Sequence, residues 1–352
     1  MLTNKRILIT GGTGSLGKVL VQRLLTGEMG MPKKVIVFSR DEAKQHFMRV
    51  EYMHKRAVTD EVIYRKIDQI LDFCIGDVRD FHSVSSALQD VDVVFNAAAL
   101  KQVPVCEYYP YQAVMTNIGG PENIVRVIEE QHLPIETVVG ISTDKACKPV
   151  NVMGMTKAIQ ERVFIQGNQR CPNTRFVCVR YGNVLASRGS VIPLFLEQIN
   201  NGGPVTITSV EMTRFLLSLN QAVDTIFAAV RSGRRGEIYI PRVPSARVID
   251  IAKALIGTRN IEVVVTGVRP GEKMHEILIS EEECHRVVDR GNFYAIMPIL
   301  PELGSGEPIR TSLTGEFSSA GVLMSHEQLV ELLNREELMV GQAAITNAEL
   351  LR

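Results

Sequence analysis

The stretch STDKACKPVNVMGMTK, residues 142 to 157, sets a carboxylate, Asp144, directly beside an amine, Lys145. It then places a second amine, Lys157, one helical turn after Met153. An adjacent acid and amine shift each other's proton affinity, and partial burial is expected to bring the lysine nearer neutrality. Side chains so placed are suited to moving protons. The competing reading is a solvated Asp-Lys pair at the end of a strand. Met153 adds nothing to such chemistry, because a thioether neither donates nor removes a proton.

The elements that must position these groups are legible from periodicity. RILITGGTGSLGKVLVQRLL runs apolar, breaks at glycines and resumes with helical spacing, which reads as strand, tight turn and helix. VIVFSR, FCIGDVRD, VDVVFNAAAL and TVVGISTD repeat the short β-rich theme with helical segments between, and RFVCVRYGNVL supplies another buried strand near residue 180. Strands alternating with helices predict an α/β fold with a doubly wound parallel sheet. Domain boundaries are expected at 1–184 for a dinucleotide-binding unit, 185–300 for a smaller substrate lobe interleaved with it, and 301–352 for a C-terminal extension. The charged insert at 43–72 reads as a solvated helix pair over the sheet edge, or as an oligomer contact. SHEQLVELLN begins with a capping box, Ser325 and Gln328, and reads as a docked helix.

Gly11, Gly12, Gly14 and Gly17, with Thr13, Ser15 and Leu16 among them, follow the first strand and open a helix. Glycines there let backbone approach a pyrophosphate, which the helix N-terminus stabilises. The second strand ends at Ser39, Arg40 and Asp41. Arg40, with Ser39 and Lys44, suits a 2′-phosphate and favours NADP, while Asp41 keeps NAD open. Asp77 and Val78 in GDVRD suit an adenine edge, and Ala97, Ala98 and Ala99 suit a close approach to the cofactor. A strand-end turn and plain core are their structural alternatives.

The formal net charge is zero across 352 residues, which gives no electrostatic reason to expect nucleic acid or an anionic membrane as partner. Six scattered cysteines without a C-x-x-C pair suggest a reduced, cytoplasmic chain. No run approaches the roughly 20 apolar residues of a membrane span, and no signal-peptide pattern is visible at the N-terminus. The seven histidines show no metal-ligand spacing, so no metal is expected.

Taken in order, TGGTGSLG, GDVRD, NAAALKQVP, STDKA, MGMTK, RYGNVLASRGSVIP, MTRF and RPGEKMHE resemble the extended short-chain dehydrogenase/reductases, which have a Rossmann-like fold. Within that group the set resembles the UDP-N-acetylglucosamine 4,6-dehydratases of polysaccharide biosynthesis, from about residue 5 to about residue 280. The resemblance implies a tightly bound, internally recycled NADP or NAD, a UDP-sugar substrate and a homo-oligomer. It implies Lys145 as the base at C5, Asp144 as the acid that expels the C6 hydroxyl, and Thr143 as the hydroxyl near the C4 oxygen. Lys157 is implied at the nicotinamide ribose, Lys101 facing cofactor and sugar, and Asn117 as a helix residue that organises the site. Met153 stands where these enzymes usually carry a catalytic tyrosine, as in a methionine subgroup of the dehydratases. The C4 hydroxyl proton must then leave through Asp144 by way of Thr143, through Lys145, or through water. Asn183, a Ser-Arg-Gly-Ser loop, Val191, Arg214, Arg269 and Glu272 are implied as the UDP-sugar clamp, guanidinium forks suiting a diphosphate and a carboxylate suiting ribose hydroxyls. A UDP-sugar 4-epimerase is the neighbouring alternative, and a non-catalytic dinucleotide-binding protein a further one.

Overall fold

The computed structural model describes residues 1–58, 69–185, 190–304 and 311–342. Its first half carries strands β1 (Arg6–Thr10), β2 (Lys34–Ser39), β3 (Leu71–Ile75), β4 (Val93–Asn96), β5 (Thr137–Thr143) and β6 (Arg175–Tyr181). The second half adds β7 (Val205–Ile207), β8 (Thr213–Phe215), β9 (Ile238–Pro241), β10 (Ser245–Arg247), β11 (Val263–Val265), β12 (Ile277–Ile279), β13 (Val287–Asp289), β14 (Phe293–Ile296) and β15 (Phe317–Ser318). Nine strands form one sheet in the order β13-β14-β9-β6-β5-β4-β1-β2-β3. From β3 through β9 all neighbours are parallel, and β14 and β13 finish the edge antiparallel. The central strands are apolar without alternation because helices cover both faces. Every residue of β4 is buried, as are six of the seven in β5.

This is the doubly wound, Rossmann-like arrangement expected from the sequence. The second half is more interleaved than a lobe by itself, since β9, β13 and β14 return to the main sheet. The short pairs β8 with β10, β7 with β11 and β12 with β15 form the rest. A second apolar core gathers Ile192, Phe195, Val205, Leu216, Ile251 and Leu255. The C-terminal helix His326–Arg335 docks into it through Leu329, Leu332 and Leu333, and its Ser325–Gln328 capping box closes in both directions. Of the charged insert, the helix Glu42–Val58 buries Gln45 and Met48. The second helix of the expected pair falls on 59–68, outside the described residues.

One buried ion cluster ties the halves together. Arg180 on β6 donates to Glu161 at 3.0 and 2.7 Å, to Glu283 at 2.7 and 2.9 Å, and to the Leu278 carbonyl at 2.9 Å. Glu161 lies on the helix Val152–Arg170 and Glu283 on the short helix Glu281–Cys284. No helix among the described residues is long and apolar enough to cross a membrane.

Candidate active site

The glycine loop closes against the end of β4. Gly11 has a φ of +68°, and a Cβ there would sit 2.8 Å from the Ala98 nitrogen. A Cβ on Gly17 would sit 2.5 Å from the Gly12 Cα, so the helix can start this close to the strand only with glycine. Gly14 is exposed and caps the helix Ser15–Leu25 without a side-chain hydrogen bond, so no side chain competes for the helix N-terminus. Thr13 is buried, and Ser15 and Leu16 are half-buried. Thr10 donates to Asn96 at 2.8 Å and accepts from the Ala98 nitrogen at 3.2 Å, which fixes the Ala97–Ala99 segment. Asn96 keeps a buried Nδ2 with no partner. The narrow glycine cradle and the open helix end fit the pyrophosphate of a dinucleotide.

At the tip of β2, Asp41 is already engaged. It accepts from the Lys44 ammonium at 2.5 Å and the Lys44 nitrogen at 3.0 Å, and these bonds hold its carboxyl below the usual range. Ser39 accepts from Gln45 at 3.1 Å. Arg40 is half exposed and reaches to 3.7 Å from Asp77. Asp77 also accepts from Arg79 at 2.9 and 2.6 Å; burial pushes its carboxyl up, and these bonds outweigh it. Val78, next to Asp77, turns its side chain inward. It is buried, and the space a Cβ on Gly120 would need is filled by its side chain, so any cofactor contact falls to its backbone.

The acid and amine stand at the end of β5, where the chain turns through Asp144–Ala146. Asp144 is fully buried. Its Oδ1 accepts from the Thr143 hydroxyl at 2.9 Å and from the Lys145 ammonium at 3.0 Å, and its Oδ2 has no partner. Burial raises its pKa, the Lys145 charge opposes this, and the charge of Glu276 adds to it. Lys145 also donates to Asn183 at 3.2 Å and lies 3.4 Å from Glu276. Burial works to neutralise this lysine, but the two carboxylates win and its pKa is raised. The near-neutral amine expected from its sequence context is therefore corrected: the neighbouring carboxylates of Asp144 and Glu276 outweigh burial and favour the ammonium form. Asp144 contributes most to this, and Glu276, the last residue of the quoted RPGEKMHE motif, adds a second carboxylate that adjacency along the chain gives no cause to place here.

Around this centre, Lys157 is buried and donates to the Ile141 carbonyl at 2.5 Å and to Gln160. Burial draws its pKa down to about 8. Met153 is also buried, in a small apolar cluster with Cys106 and Ala113, so at this position the methionine packs. Asn117 sits in a π-helical turn, Met115–Gly119. It clamps Leu100 through both N–H and C=O, at 2.8 and 3.0 Å, and donates to Thr156 at 3.0 Å. That clamp orders the loop carrying Lys101, which is exposed.

On the other side, Asn183, Ser190, Val191 and Arg214 line a recess closed by Val184 and Leu216. Arg214 is buried, donates to the Thr213 and Met274 carbonyls at 2.8 and 3.3 Å, and lies 3.8 Å from Glu276. Arg269 is exposed on the following loop, and Glu272 keeps a buried Oε2 without a partner. Asn151, which caps the helix Val152–Arg170, holds that loop by donating to the Gly271 carbonyl at 2.8 Å. Of the expected Ser-Arg-Gly-Ser loop, residues 187–189 lie outside the described residues. Among the described residues no group of three or more His, Cys, Asp or Glu is placed to hold a metal ion.

The family described as polysaccharide biosynthesis protein matches residues 7–298. Proteins named UDP-glucose 4-epimerase from Rickettsia typhi and Rickettsia bellii are 42% and 43% identical over 302 residues, covering 84% of each chain. The X-ray structure of Pen from Bacillus thuringiensis is 33% identical, covers 96% of this chain and all of its own, and superimposes with a TM-score of 0.85. DesIV, a dTDP-glucose 4,6-dehydratase from Streptomyces venezuelae solved with NAD bound, superimposes with a TM-score of 0.64 at 22% identity, covering 76% of this chain and 86% of its own. The chain therefore belongs to the polysaccharide biosynthesis protein family and has the Rossmann-like fold of short-chain dehydrogenase/reductase epimerases and dehydratases.

Proposed function

We propose that the protein is a UDP-N-acetylglucosamine 4,6-dehydratase that forms a UDP-4-keto-6-deoxy-N-acetylhexosamine. The observation that carries this reading is the buried Asp144 carboxyl in contact with Lys145, with Asn183 accepting from the amine and a glycine turn that fits a dinucleotide after β1. A dinucleotide held by the glycine turn and Lys157 would supply the redox chemistry, oxidation at C4 and reduction at C6. Thr143 donates to Asp144, which gives the C4 hydroxyl proton a path to the carboxylate. A carboxyl with raised proton affinity can take that proton and later give it to the departing C6 hydroxyl, so the water lost carries the proton released at C4. Lys145 in its deprotonated form removes the C5 proton, C5 is reprotonated as C6 is reduced, and Lys157 holds the nicotinamide ribose. Lys101 faces the sugar, while Arg214, Arg269 and Glu272 hold the UDP portion with Asn183 and Val191.

A UDP-sugar 4-epimerase is the second reading, favoured by the printed names of the Rickettsia relatives. It oxidises and re-reduces C4 alone and has no use for an acid-base pair reaching C5 and C6. The proposed cofactor is NADP, because Arg40 at the β2 tip is half exposed and only loosely paired with Asp77, while Asp41 is tied to Lys44. The proposed assembly is a homo-oligomer through the exposed Tyr108, Tyr111, Met155 and Ile159. The proposed setting is the cytoplasm, in keeping with six unpaired cysteines.

The test is proton NMR of the purified protein with UDP-N-acetylglucosamine in deuterated water, with no cofactor added. A new C6 methyl signal with deuterium at C5 supports the dehydratase. A changed C4 configuration without a methyl signal establishes the epimerase instead.

A further inference from the structure

Glu276 has no part in the assignments made so far, yet it is among the most constrained acids in the molecule. It is 2% exposed, and its backbone is clamped on both sides by Ser319, which accepts from the Glu276 nitrogen at 2.9 Å and donates its own nitrogen to the Glu276 carbonyl at 2.8 Å. Its Oε1 lies 3.4 Å from the Lys145 ammonium and 3.8 Å from the Arg214 guanidinium. Its Oε2 is buried without a partner. An acid held this firmly, with half of its carboxylate unsatisfied, is costly, and two cations sharing the other oxygen offset that cost.

We infer that Glu276 is a positioning residue for Lys145: it pins the amine between two carboxylates, shares one oxygen with Arg214, and so sets the pH at which that amine can take a proton. The inference rests on the reading of Lys145 as the C5 base. The charged groups facing Lys145 are Asp144 from its own turn, Glu276 from the segment before β12, and Arg214 from β8, while Lys273 acts on Glu276; the neutral Asn183 also accepts from the amine. The two anions favour the ammonium and Arg214 opposes them. Removing the anion at 276 must therefore move the titration of Lys145 to lower pH, and removing the cation at 214 must move it to higher pH. A residue that merely supports the fold would not give opposite signs.

The test is a 13C NMR titration of the full-length protein after reductive 13C-methylation of its lysines, with the Lys145 signal assigned by its loss in Lys145→Arg. No sugar is added, so the result is independent of which UDP-sugar reaction the enzyme performs. Glu276→Gln is expected to lower the Lys145 midpoint by about one pH unit or more, the ordinary effect of an opposite charge at this range. Arg214→Gln is expected to raise it. The acidic limb of C5 deuterium exchange in UDP-N-acetylglucosamine should follow the midpoint in Glu276→Gln. An unmoved midpoint in both variants, or shifts of the same sign, overturns the inference. If Glu276→Gln does not fold, the sign in Arg214→Gln decides. Opposite shifts in an enzyme that never forms a methyl product would remove the dehydratase reading and leave this coupling standing.

Discussion

Replacing Asp144 by asparagine separates its chemistry from its structure. The amide oxygen can keep the position of Oδ1 and accept from Thr143 and Lys145 as the carboxylate does at 2.9 and 3.0 Å. The amide nitrogen then takes the place of Oδ2, which already lacks a partner, so no existing hydrogen bond is broken. The cost to folding should stay within about 1–2 kcal/mol. What the substitution removes is the ability to carry a proton, and a positioned acid or base contributes about 10²–10⁴-fold to rate, or roughly 3–5 kcal/mol of barrier. Since Asp144 is assigned to both the C4 hydroxyl proton and the C6 hydroxyl, Asp144→Asn should slow both steps. Rapid mixing with UDP-N-acetylglucosamine, following nicotinamide absorbance for C4 oxidation and NMR for methyl formation, reads them separately, and a thermal melt controls for folding. Methyl formation within tenfold of the parent, in a variant that melts normally, would refute the assignment.

Arg180→Met leaves Glu161 and Glu283 as buried carboxylates without their cation. Denaturant unfolding should show a loss of about 3–5 kcal/mol. Burial lowers the Lys157 pKa from its ordinary 10.5 to about 8, so between these values the unfolded chain binds more protons than the folded one. Stability should therefore rise with pH across that window, by up to about 3 kcal/mol, and the rise should vanish in Lys157→Met when denaturant midpoints are compared at its two ends. Arg40→Ala should weaken NADP by about tenfold to a hundredfold in a calorimetric titration and leave NAD nearly unchanged; an equal loss for both would remove Arg40 from the 2′-phosphate.

The first six strands and the glycine turn are legible in the sequence because their signals are local: short apolar runs, a break at glycine, then helical spacing. Asp144 and Lys145 are legible for the same reason. The charge state of Lys145 is not, because its second carboxylate comes 131 residues later along the chain and is brought in by the segment leading into β12. The sequence suggests that the later lobe is interleaved with the first unit, but not that β13 and β14 are the strands that extend the main sheet, since a three- or four-residue strand reads alike at a sheet edge and in a separate lobe. The packing of the Val78 side chain against Gly120 is likewise not legible from its motif. Met153 is plain in sequence as a departure, and only its neighbours Cys106 and Ala113 show that the thioether fills apolar space.

The Arg180 cluster has a consequence for how the protein is made. During synthesis Glu161 and Arg180 emerge about a hundred residues before Glu283, so a nascent chain holds a guanidinium with one of its two carboxylates still inside the ribosome. The cofactor half therefore finishes its interior only when the later segment arrives to neutralise it. A fragment ending at residue 184 is expected to be no autonomous folding unit, and the two halves, expressed as separate pieces, should acquire stable structure only when mixed.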